Sequence, residues 1–259
     1  MNLPQIFDYH QQISEVVLVG CGGTGSQVAR SLCRIVYDLR RRGHHTPTLK
    51  FVDPDIIEPK NVARQMFLDT DCGAFKSQIL ATRFNLALGL GITAYAEPFD
   101  PAKHCNRYGT LLVGCVDNHL ARIALCNARN AVLCDAGNAK SNGQVSLGTT
   151  DDPDLIRQCI KSNNYRHLPN IALVFPQLLE PEPIQPILPA ASCAELVEAG
   201  EQDLLINDAI GTVAAHYLHR LLNHLPVTTF LSFLDCSDSG FNARSIAITS
   251  ANLMPYVSG

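Results

Sequence analysis

A short aliphatic run ending in four closely spaced glycines constrains this chain more than any other feature. Val16–Val19 is followed by Gly20, Cys21, Gly22, Gly23, Thr24 and Gly25. The run reads as a buried parallel strand, and the residues after it read as a helix. Gly20, Gly22 and Gly25 have the spacing G-x-G-x-x-G. Glycine at those points permits a tight strand-to-helix turn and lets an anion approach the backbone closely. The free N–H groups at the helix start then face that anion, helped by the helix dipole. A nucleotide is therefore expected near the N-terminus, although the glycines alone do not say which.

Strand and helix signals continue to alternate as far as Gly148. Glu15–Gly20, Thr48–Asp53, Ile92–Glu97, Thr110–Cys115, Val132–Ala136 and Gln144–Gly148 read as strands. Gly23–Arg41 has apolar residues at helical spacing (Val28, Leu32, Ile35, Val36, Leu39), and Lys76–Leu88 and Asn118–Asn130 read as further helices. This pattern predicts an α/β, Rossmann-like, mostly parallel twisted sheet with helices on both faces. The pattern breaks at 149–192, a Pro-rich, poorly periodic stretch with six prolines between Pro169 and Pro189. It is expected to be a long crossover loop. Helical signal returns at Cys193–Ala199 and Asn207–Leu222, and Thr229–Asp235 with Ser245–Thr249 reads as a late antiparallel strand pair. The expected organisation is one domain over 1–259. It has a nucleotide-binding half (1–148), the crossover (149–192) and a C-terminal half (193–259).

Composition narrows the class. Of 259 residues, 46% are hydrophobic and 17% charged, as in a globular enzyme with a large core. The net charge is −4. The densest basic patch, Arg40–Arg42 with His44 and His45, falls at a helix end, where cations suit the dipole, so nothing demands nucleic acid. No apolar run reaches the roughly 18 residues that span a membrane, and Met1–Gln12 lacks a signal-peptide pattern. Ten cysteines include no C-x-x-C pair, and Cys33, Cys115, Cys126 and Cys134 lie in apolar runs. Reduced core thiols in a cytoplasmic protein are expected, with neither a disulfide framework nor a Cys-rich zinc site.

Several polar residues stand where strands end. Asp53 closes the second strand, where an acid either bonds ribose hydroxyls or simply shapes a D-P-D turn. Asn61, Arg64 and Gln65 come next at helical spacing, and Lys76 opens the next helix. Arg64 and Lys76 could both reach phosphates from the sheet rim, which favours a triphosphate over a nicotinamide dinucleotide. The alternative for Lys76 is a solvated helix start, although a cation there opposes the dipole. Asp117 and Asn118 come after the fourth strand. A carboxylate there either holds magnesium or, like Asn118, caps the helix. Arg122, one turn on, is placed to neutralise Asp117.

These blocks together resemble the ubiquitin-activating-enzyme-like superfamily of ThiF, MoeB and HesA types. The blocks are G-C-G-G-T-G-S, D-P-D-I-I-E-P-K-N-V-A-R-Q, Lys76 and D-N-x-x-x-R. The resemblance covers about Ile13–Gly148 and returns at Ser192–Gly200 and the helix after it. D-A-G-N, G-Q-V and E-Q-D-L-L-I-N are most similar to the ThiF-like proteins of bacterial PRTRC gene clusters. The resemblance implies that Gly20, Gly22, Gly23 and Gly25 cradle ATP phosphates and Asp53 holds the ribose. It implies that Asn61, Arg64 and Lys76 contact phosphates with Gln65 in support, and that Asp117, next to Asn118, binds magnesium. It implies adenylation of the C-terminal glycine carboxylate of a small ubiquitin-like or sulfur-carrier protein ending in Gly-Gly, by a homodimer. Cys193 is then either the acceptor of the activated acyl group or a buried helix-start cysteine. Two departures stand out. The paired C-x-x-C zinc ligands common in such proteins are missing, and Met1–Gln12 has no arginine to reach a partner's ATP. Adenylation of a small carboxylate or modified tRNA, and a non-catalytic partner subunit, are the alternative readings.

Overall fold

The computed structural model describes residues 3–9, 11–105, 108–181, 205–237 and 240–257. Eight strands form one sheet in the order β3-β2-β1-β4-β5-β6-β7-β8. They are β1 Glu15–Val19, β2 Thr48–Val52, β3 Thr93–Tyr95, β4 Thr110–Gly114, β5 Ala131–Asn138, β6 Asn142–Gly148, β7 Thr229–Asp235 and β8 Asn242–Ala247. β3 through β5 are parallel, and β5 through β8 are antiparallel. The mostly parallel sheet and the late antiparallel pair agree with the sequence. Gln144–Gly148 joins its neighbour in an antiparallel sense because only Ala139–Ser141 separates β5 from β6. A parallel crossover needs about a dozen residues.

The aliphatic runs are buried on both faces, which is why they are continuous rather than alternating. Val16 and Leu18 pack with Val28 and Leu32 of α1 (Gly23–Arg41), Leu80 and Phe84 of α2 (Lys76–Leu88), and Ile210 and Leu218. Val17 and Val19 point the other way, to Leu112, Leu125, Leu133 and Ile171. Arg40 does more than end its helix in solvent. Its guanidinium donates to the carbonyls of Leu88 (2.5 Å) and Gly89 (2.7 Å), closing the last turn of α2.

The stretch after Gly148 is more ordered than its composition implies. After the short α3 (Pro101–His104) and α4 (His119–Cys126), the chain forms α5 over Pro153–Ser162 and a single turn, α6, over Ile171–Val174. Asp152 caps α5 by accepting from the Asp154 N–H (2.8 Å), proline occupies its first turn, and Ile156 and Cys159 are buried. Expecting a loop across the whole of 149–192 was therefore wrong for its first part. The expected helix over Cys193–Ala199 lies outside the described residues. The expected helix over Asn207–Leu222 is α7, Ile206–Leu222.

α7 lies along α1 with both N-termini at the same end of the sheet. A Cβ on Gly211 would stand 2.8 Å from the Gln27 Cβ, and one on Gly23 would stand 2.7 Å from the Asn207 carboxamide. Small residues at these crossing points let the helices approach.

The glycine turn separates fold from ligand requirements. A Cβ on Gly25 would lie 1.9 Å from the Gly20 carbonyl oxygen, a backbone atom that cannot swing away. One on Gly22 would meet nothing nearer than Gln65 Nε2 at 3.9 Å. Gly25→Ala should therefore cost about 2 kcal/mol or more and lower the thermal midpoint by roughly 5 °C or more. Gly22→Ala should stay within about 1 kcal/mol of the parent. Calorimetric unfolding of the two variants checks this, and equal midpoints would contradict it.

Candidate active site

A cleft of about 900 Å³ opens at the carboxyl ends of β1, β2, β4 and β5. In open α/β sheets this edge, where strand order reverses, is where ligands sit. Gly20, Gly22, Gly23, Asp53, Asn61, Arg64, Gln65, Lys76, Asp117 and Asn118 all line it. Gly25 does not; it serves the packing of α1 against the turn. Cys193 lies outside the described residues.

The floor is the glycine turn. Gly20 has φ +86°, and a Cβ there would collide with the Cys115 carbonyl. α1 starts from Gly22 with no side chain capping it, so its first N–H groups remain available to a ligand.

Asp53 ties this floor to β2. Its Oδ2 accepts from the Cys21 N–H (2.5 Å) and its Oδ1 from the Asp55 N–H (2.7 Å). Burial raises its pKa, and the two backbone donors oppose that. Its first role is thus structural, and each oxygen keeps a second lone pair for a ribose hydroxyl.

The adjoining wall is cationic. Asn61 is buried, and its Oδ1 accepts from the Glu58 N–H (2.9 Å) to shape a short 3₁₀ turn, Pro59–Asn61. Ala63 then adopts a left-handed conformation (φ +65°). That turn delivers Arg64 to the cleft, exposed and without a protein partner among the described residues. The Gln65 Oε1 is buried there and unpaired. Lys76 is also buried, with its ammonium 2.8 Å from Asp55 Oδ2. Neither half of the sequence alternative for Lys76 was complete: it is neither solvated nor free. An ammonium has three donors, so one ion pair leaves capacity for a phosphate.

Asn118 is the helix cap. Its side chain accepts from the Ala121 N–H (2.8 Å) at the start of α4. Asp117 is left exposed at the cleft mouth, with no hydrogen bond or ion pair to a described residue. Arg122 does not neutralise it. The guanidinium turns to Asp135, Nε to Oδ2 at 3.5 Å, and donates to the Val116 carbonyl (2.7 Å). Asp135 is fully buried in β5, and burying a cation beside it is less costly than leaving it alone.

Three cleft residues were missed by sequence reasoning. Thr24 Oγ1 donates to Asn207 Oδ1 (3.0 Å), Asn138 Nδ2 donates to the same oxygen (3.0 Å), and Asn138 Oδ1 lies 3.2 Å from the Thr24 hydroxyl. The available signals were an asparagine at the carboxyl end of β5 and another at a helix start.

Among the described residues no group of three or more His, Cys, Asp or Glu is placed to hold a metal. All nine described cysteines are free, and burial raises the pKa of Cys21, Cys33, Cys105, Cys115, Cys126 and Cys134. No described helix is long and apolar enough to cross a membrane.

Comparison with known proteins gives the family and the fold. The ThiF family model matches residues 9–248. The chain belongs to the ThiF family. Among solved structures it resembles PaaA (TM-score 0.60, 14% identity, 92% of this chain and 64% of that one). It also resembles E. coli MccB solved with ATP (0.55, 16%, 91% and 64%). E. coli MccB solved with AMPCPP and MccA gives 0.54 at 16% identity, over 91% and 64%. The chain thus spans just under two thirds of the length of these neighbours, which share its Rossmann-like ThiF fold. No curated protein sequence matches it.

The buried pair gives a measurable titration. Burial raises the Asp135 carboxyl and Arg122 opposes that, so the ordinary 3.8 is pushed up to about 6. Because the folded value lies above the unfolded one, this group's contribution to stability is lost as pH rises through that window. Carboxyl carbon NMR should show Asp135 titrating near 6, and higher still in Arg122→Met. A midpoint near 4 would contradict the assignment.

Proposed function

We propose that this ThiF-family chain is an ATP-dependent adenylyltransferase. Its substrate is the C-terminal glycine carboxylate of a small ubiquitin-like or sulfur-carrier protein ending in Gly-Gly. The observation that carries the reading is a convergence. The uncapped start of α1, Arg64, Lys76 and Asp117 all border one cleft at the switch point of the sheet.

The chemistry matches that set. A carboxylate oxygen bonds to the α-phosphorus, the bond from that phosphorus to the bridging oxygen breaks, and pyrophosphate leaves with the electron pair. The products are an acyl-adenylate and pyrophosphate. No protein nucleophile takes part, so the protein's task is charge and position. The first N–H groups of α1 and the two cations offset phosphate charge, Asp53 and the β2 end orient the nucleoside, and Asn61 and Gln65 fix the turn that presents Arg64. Asp117 fits magnesium, which commonly takes one or two carboxylates and completes its shell with water and phosphate oxygens. Bound there, the metal would screen the phosphate charge. Cys193 lies outside the described residues, and adenylation itself needs no thiol.

The test is exchange of radiolabelled pyrophosphate into ATP with a purified carrier ending in Gly-Gly. Exchange should require magnesium. Arg64→Ala, Lys76→Ala and Asp117→Ala should each lower it by on the order of 10²-fold or more. Exchange that survives Asp117→Ala would remove the metal role, and exchange indifferent to all three would remove the reading.

A further inference from the structure

The two walls of the cleft differ in chemistry. Arg64 and Lys76 enter from the chain after β2. On the side of β5, β6 and α7 stand Asn138, Gln144 and Asn207, neutral amides. Arg122 also reaches this side, but its charge is committed to Asp135. An in-line displacement at phosphorus places the incoming and leaving groups on opposite sides. With pyrophosphate held by the cations, the incoming carboxylate must come from the amide side.

Asn207 is built for that position. It is 6% exposed, and its Oδ1 receives two hydrogen bonds, from Thr24 and Asn138. Those bonds fix the carboxamide so that Oδ1 is spent. Nδ2 donates to no described residue. The carboxamide lies against Gly23 so closely that a Cβ there would stand 2.8 Å from Nδ2. It therefore sits at the uncapped start of α1 and in the first turn of α7. The positive ends of both helix dipoles meet at it.

We propose that the Asn207 amide nitrogen donates to the non-attacking oxygen of the acyl carboxylate, and to the carbonyl it becomes in the acyl-adenylate. Thr24 and Asn138 are positioning residues that hold the amide in that orientation. A neutral donor suits this task, because a full ion pair would stabilise the carboxylate and blunt its attack. Asn207 lines the cleft, so its Nδ2 can meet an acceptor that a ligand brings there. This inference rests on the adenylation reading and adds to it the residue that recognises the acyl group.

The test compares AMP with 5′-O-[N-(glycylglycyl)sulfamoyl]adenosine, an adenylate mimic that carries an acyl carbonyl. Affinities are measured by calorimetry for the parent protein, Asn207→Ala and Asn207→Asp. The aspartate keeps the shape and the acceptor for Thr24 and Asn138, and its charge suits the start of α7. It therefore keeps the test available if the alanine variant does not fold. The parent should bind the mimic at least tenfold more tightly than AMP. Both variants should lose about tenfold of that preference. Charge repulsion alone would act the other way in Asn207→Asp, because AMP is doubly negative whereas the mimic carries one acylsulfamate anion and a cationic amine.

An unchanged or larger preference for the mimic in the variants would overturn the inference. So would equal weakening of the two ligands, which would make Asn207 a phosphate ligand or a structural residue. A parent that binds AMP but gains nothing from the acyl carbonyl would also overturn it, leaving the nucleotide site intact. A parent that binds neither ligand would remove the adenylation reading as well.

Discussion

The cleft depends on one carboxylate. Asp53 takes a backbone N–H from the glycine turn and another from Asp55, so the exits of β1 and β2 are held together by a single side chain. Asp55 in turn binds the Lys76 ammonium through its side chain and the Lys76 N–H through its carbonyl (2.9 Å). Ser77 adds a hydrogen bond to the Asp53 carbonyl (3.0 Å). The glycine turn, Asp53 and the Lys76 ammonium are thus one connected unit. Charge-assisted bonds to backbone amides are among the stronger interactions available to a carboxylate, and burial strengthens them further.

Beside that unit the cleft is asymmetric. Cations border the β2 side, where the proposed function puts the multiply charged phosphate. Amides border the β5–α7 side, where the proposed function puts a single carboxylate. Two helices start at the boundary between these sides, and among the described residues neither start is closed by a side-chain cap. Capping either with serine or aspartate would stabilise its helix, but would place an acceptor where the proposed anionic ligand binds. Stability withheld at a binding site is a common signature of function.

Much of the fold was legible because its signals are local. The continuous runs at β1 and β4 can only be strands buried on both faces, and the glycine pattern fixes the turn and the helix after β1. That Asp53, Lys76 and Asp117 border the cleft was legible because they stand just beyond strand ends or at a helix start, and Arg64 because it sits in the polar block after β2. The parts that were not legible depend on distance in sequence. Asn207 meets Thr24 across 183 residues, and no local pattern announces that contact. Arg122 was assigned to Asp117, five residues before it, yet it turned to Asp135 on the neighbouring strand, where a buried carboxylate has the greater need. α5 was missed because its apolar positions, Leu155, Ile156, Cys159 and Ile160, cover less than two turns and follow a proline. The antiparallel turn at β6 was readable in principle from the short link before it.

The most direct test of the central claim is a crystal structure with ATP and magnesium. The triphosphate should lie across the start of α1, with Arg64 and Lys76 on its oxygens and the metal between them and Asp117. ATP bound at another edge of the sheet, or Arg64, Lys76 and Asp117 pointing to separate places with no shared anion, would contradict it.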